Sequence, residues 1–179
     1  MRLDSAAKEN GTPGDWILDA FNQLDLVAEI AAALLGFIAI FLALSKTDGR
    51  FAESDRHFIQ ALVLSSSLAI ILAIAPRPIS LFVADESVWY ASAIMALVLG
   101  SLIFTMQIRQ QLRMSRLEAT QIHWMWHFVA WGLGIASAVL FVFALLDSTR
   151  TTAFYVSGVS LLMPLSLWVF IGVVFRRFF

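Results

Sequence analysis

Asp25 and Glu29 stand one helical turn apart in the stretch LDLVAEIAAALLGFIAIF, at the mouth of an apolar segment. On a helix, positions 29, 32, 33 and 36 share one face, which puts Glu29 beside Ala32, Ala33 and Gly36. Small residues are the ones that let helices approach closely in lipid. Glu29 is therefore expected to point at protein or a water-filled space rather than at lipid, with Asp25 one turn nearer the surface. An acidic pair in that position attracts cations, and copies of Glu29 around an axis form a ring of the kind that lines cation pores. The helix dipole alone also favours carboxylates at a helix start, and that plainer role needs no partner.

The second group lies in HWMWHFVAW, where His123 and His127 are four residues apart and share a face with Trp131 and Gly134. His57, at the start of another apolar segment, falls at the same level. Three imidazoles can hold zinc or another divalent ion, or respond to pH between about 5 and 8. Histidines at a membrane surface that bond to loops or headgroups account for the same pattern. Haem ligation does not suit it, because only His127 enters an apolar segment. RQQLRMSR supplies Arg109, Arg113 and Arg116, which can bind anionic headgroups at about 1 kcal/mol each, or simply mark the side of the membrane. No nucleophile motif, phosphate loop or deep pair of carboxylates is present, so no enzyme is expected. The absence of cysteine excludes disulfides, thiolate zinc sites and iron–sulfur clusters. Beyond a divalent ion at the histidines no cofactor is expected, nor a nucleic-acid partner.

The elements that must position these residues are apolar helices. The chain is 60% hydrophobic and 14% charged, with mean hydropathy +0.82, against about 45–50% and about 25% in soluble domains. The excess falls into five blocks, 26–44, 58–75, 88–106, 124–146 and 153–175. Each matches the roughly 20 residues needed to cross about 30 Å of hydrocarbon, where only helices satisfy their own backbone. This predicts an all-α integral membrane protein, with one five-helix domain over 26–179. Pro76 and Pro78 are expected to stop the second span. Residues 1–25 read as a polar tail followed by a short interfacial amphipathic helix, DWILDAFNQLDL, with Asp15 as N-cap and Trp16, Ile17, Phe21 and Leu24 as its apolar face. The alternative is that the first span starts early. No cleavable signal peptide is expected.

Orientation follows from the loops. Five spans place Arg2, Lys8, Arg77 and Arg150 on one side, with nine acids, and eight basic residues with four acids on the other. The more basic side is expected in the cytoplasm, giving N-out and C-in topology in the inner (plasma) membrane. Trp89, Tyr90 and Tyr155 are expected at the outer boundary, Trp124 and Trp126 at the inner one.

Small residues at intervals of four predict close helix packing: Ala28, Ala32 and Gly36 in the first span; Ala61, Ser65, Ala69 and Ala73 in the second; Ser92, Ala96 and Gly100 in the third; and, in the fourth, Gly132 with Ala136 and Gly134 with Ala138. Some of these faces remain for subunit contacts, so a homo-oligomer is expected. Pro164, midway along the last span, predicts a kink, and in functional terms a hinge. The leading functional expectation is a homo-oligomer that conducts or transports a small cation, with Asp25 and Glu29 at its outer entrance. A non-catalytic accessory subunit docking another membrane protein, and a metal-binding or pH-responsive protein built on the histidines, are the alternatives.

Overall fold

The structure is a computed structural model that describes residues 13–45, 53–83, 85–113 and 124–178. Its elements are α1 (Pro13–Ser45), α2 (Glu53–Ile74), α3 (Pro76–Ser80), α4 (Asp85–Arg113), α5 (Trp124–Leu146), α6 (Thr151–Ser160) and α7 (Leu162–Phe178), with no strand among the described residues. Five stretches are long and apolar enough to cross a membrane: Ile17–Ala43, Arg56–Ser80, Ser87–Leu112, Met125–Leu146 and Thr151–Phe175. The chain is a multi-pass helical membrane protein.

α1 runs unbroken for 33 residues, about 50 Å at 1.5 Å per residue. The segment expected as a separate interfacial helix is continuous with the first span in one long helix. The helix opens at Pro13, whose fixed φ suits a first turn, rather than at Asp15. One stripe runs down it: Ala20, Leu24, Val27, Ala31, Leu34 and Ile38 are all buried. Their alternating spacing of four and three is that of helices wound at a shallow angle. α1 packs this stripe on α2, α6 and α7, while α4 and α5 lie on the far side of that middle layer.

The second span does not stop at Pro76. A single turn residue, Ala75, separates α2 from α3, and helical structure resumes to Ser80. Pro76 has no N–H to offer the carbonyl of Leu72, its partner four residues back. That carbonyl instead accepts a hydrogen bond from the Tyr155 hydroxyl at 2.6 Å. Tyr155 is fully buried and Trp89 nearly so. These two rings are therefore packed inside the bundle. Phe21, Trp89, Tyr155 and Phe141 form a chain of rings with successive centroids 5.5, 5.7 and 5.7 Å apart.

The last span is interrupted at Leu161, between α6 and α7. Pro164 explains the position: it cannot donate to the carbonyl of Ser160 and its ring pushes that carbonyl aside. Neighbouring side chains tie the distorted segment down. Ser137 Oγ donates to the Gly158 carbonyl at 2.7 Å, Gln23 Nε2 to Ser160 Oγ at 3.1 Å, and Ser166 Oγ to Ser65 Oγ at 3.1 Å. At the turn before α6, Asp147 accepts from Thr149 N at 3.0 Å and Thr149 Oγ1 at 2.6 Å, and the hydroxyl bond holds its carboxyl below the usual range.

Candidate functional site

Two places in the bundle gather the residues capable of chemistry. The first is the outward face of α1. At about 100° per residue, Glu29 points almost directly opposite the buried stripe of Val27, Ala31 and Leu34, and it is exposed. Asn22, Ala33, Gly36 and Ile40 continue the same exposed face. Twelve residues separate Glu29 from Ile17 and fourteen from Ala43, the two ends of the span. The carboxylate thus lies about 18 and 21 Å from the ends of a stretch longer than the roughly 30 Å of hydrocarbon, one turn further along α1 than Asp25.

Asp25, half-buried and about 6 Å nearer the helix start, is ion-paired with Arg77 at the end of the second span. Arg77 also lies over the Phe21 ring, 5.7 Å from its centroid. The expected acidic pair is therefore split. One carboxylate is neutralised within the chain, and the other faces away from the bundle.

The small residues divide in the same way. Ser65, Ala69, Ala73, Ser92 and Ala96 are buried and serve packing within the chain. Ala28 and Ala61 are half-buried, and Ala32 is exposed. At Gly36, Gly100, Gly132 and Gly134, no atom of a neighbouring helix lies within 4 Å of where a Cβ would sit. Of the remaining positions, Pro164 and Arg109 are exposed, Arg113 closes α4, and Arg116 lies outside the described residues.

The second place is a cavity of about 340 Å³ between α2, α4, α5 and α7. Its apolar walls include Leu68, Phe141, Leu162 and Leu165. One end carries His57, Gln107, Gln111 and His127. The His57 and His127 rings are 6.4 Å apart, and His127 stacks near Phe58 at 6.3 Å. The Gln111 amide lies 3.3 Å from His127 Nδ1, where it can donate to the ring. Gln107 Nε2 at this end is shielded and has no hydrogen-bond partner among the described residues, and the His57 ring lies beside the Gln110 side chain. The sequence pattern did place His57 and His127 at one level; His123 lies outside the described residues. Two imidazoles sharing a tetrahedral ion at 2.0–2.1 Å have ring centres about 5 Å apart, closer than seen here. Among the described residues no group of three histidines or carboxylates is arranged to hold a metal ion.

Sequence reasoning missed the cavity. Gly100, Gly134 and Ala138 read as packing positions, whereas here they border open volume. The glutamines of α4, one turn apart at 107 and 111, were the overlooked signal, since amides entering an apolar helix need partners. No family model, curated protein or solved structure matches the chain significantly.

Proposed function

We propose that the protein is a homo-oligomer in which the outward faces of α1 meet around a shared interior, and that this interior carries small cations past Glu29. The observation behind this reading is the direction of Glu29: exposed, one turn along α1 from the Asp25–Arg77 pair, and opposite the stripe that α1 buries in its own bundle. A charged side chain at the centre of a helix in hydrocarbon costs on the order of 3 kcal/mol even on insertion scales, so such residues face protein or water. The described residues leave Glu29 uncovered. A second copy covers it, and Ala33 and Gly36 on the same face permit the close approach that helix association in lipid requires. Repeated about an axis, Glu29 becomes a ring of carboxylates. Asp25, held by Arg77, fixes the entrance rather than adding free charge to it.

In this reading the chain sits N-out and C-in in the inner membrane, with the N-terminal part of α1 projecting through the outer headgroups. Reconstitution in liposomes tests it. Wild-type protein should pass monovalent cations, and Glu29→Gln should lower flux or selectivity while the oligomer survives. A stable oligomer with no flux would favour an accessory role. A monomer that acquires order only with another membrane protein would replace the second copy by that partner.

A further inference from the structure

We propose that the cavity between α2, α4, α5 and α7 binds one neutral membrane lipid, with its apolar chain in the shaft and an uncharged carbonyl- or hydroxyl-bearing head at the His57–Gln107 end. The cavity is independent of the face of α1 and lies across the middle layer from it.

Four observations lead to this ligand. The volume, about 340 Å³, falls within the roughly 300–1,000 Å³ of small-molecule sites. The histidines and glutamines are gathered at one end, and the shielded Gln107 Nε2 has no partner among the described residues, whereas the His57 ring has the Gln110 side chain beside it. Inside a membrane an unpaired polar group is costly. A carbonyl or hydroxyl head accepts from the Gln107 amide. Among the described lining residues none is Asp, Glu, Lys or Arg, so they suit a neutral head better than a phosphate or carboxylate. Finally, the exposed lining residues Ser101, Phe104, Trp131 and Ile135 run along the seam of α4 and α5. That seam faces the surrounding lipid and provides the way in.

Two kinds of lipid share this chemistry, a quinone-type ring and a neutral glyceride. The test uses full-length protein in phosphatidylcholine nanodiscs, with bound mass read by native mass spectrometry. The probes are decylubiquinone, monoolein and oleate. One molecule of decylubiquinone or monoolein per chain, bound saturably and at least tenfold more tightly than oleate at pH 8, supports the site, and the tighter of the two identifies the head. Gly134→Leu extends into open volume and should abolish binding. Gln107→Leu should weaken it at least tenfold without filling the shaft, which keeps the test informative if the larger variant fails to fold. Oleate binding as tightly as the neutral probes, neutral probes not saturating at one per chain, or unchanged affinity in Gln107→Leu would overturn the proposal.

Discussion

Removing the Tyr155 hydroxyl should matter more than its size suggests, and the reason is a proline 79 positions away in sequence. In an ordinary helix the Leu72 carbonyl would accept from the amide of residue 76. Pro76 has none, so the 2.6 Å bond from Tyr155 is the one that satisfies a carbonyl buried in the bundle. Tyr155→Phe keeps the ring packed between Trp89 and Phe141 and deletes only the donor. A buried acceptor left unpaired costs about 1–3 kcal/mol, while hydrogen bonds inside membrane bundles average about 0.6 and reach about 1.7 kcal/mol. The missing intrahelical partner puts this bond at the upper end, about 1–2 kcal/mol. Pro76→Ala restores an amide that can reach Leu72, so the same Tyr155→Phe change should cost about 0.5 kcal/mol in that background. The resulting coupling of about 1 kcal/mol is measurable by SDS-induced unfolding in mixed micelles, followed by tryptophan fluorescence, across the four proteins of a double-mutant cycle. Equal cost in both backgrounds, or no cost in either, would refute the assignment of this hydroxyl to the proline-orphaned carbonyl.

Gly158→Ala should destabilise the bundle by about 1–3 kcal/mol, because its Cβ would fall 2.7 Å from the buried Phe141 ring; Phe141→Leu in the same protein should recover part of the loss in the same unfolding assay. Asp25→Asn and Arg77→Gln should each cost less than about 1 kcal/mol, since both partners are partly exposed. The double change should cost little more than either alone when melting is followed at low salt, and a clearly additive loss would mean the pair does not act as a unit.

The number and placement of the spans were legible because each is an apolar run of adequate length, a property lipid demands of every turn. Their ends were less so. Asp19 and Asp25 lower the hydropathy of the first 25 residues, yet one is exposed and the other is paired with Arg77, so α1 continues straight through them. That the stripe of Glu29 stays outside the chain's own bundle was hidden for a related reason. A helix apolar on all sides offers two plausible packing stripes, and the small residues suggested one. The chain uses the other, the larger stripe through Leu24, Val27, Leu34 and Ile38, which fills volume against α2, α6 and α7. Pro76 looked like a terminator because proline breaks the local ladder, and the repair comes from Tyr155 in another helix. Distant repairs of this kind, like the cavity, exist only once helices from different parts of the chain are side by side.

The most direct test of the proposed assembly is a cysteine scan along α1, which the absence of native cysteine makes clean. Single cysteines at positions 22 to 43 would be oxidised in native membranes and the covalent dimer quantified for each. If the outward faces of α1 meet in the oligomer, crosslinking should peak at positions 29, 33, 36 and 40 and fall away at 27, 31, 34 and 38, which the chain buries against itself. No crosslinking at the first set, or equal crosslinking all round the helix, would contradict the account and leave Glu29 without the partner its position demands.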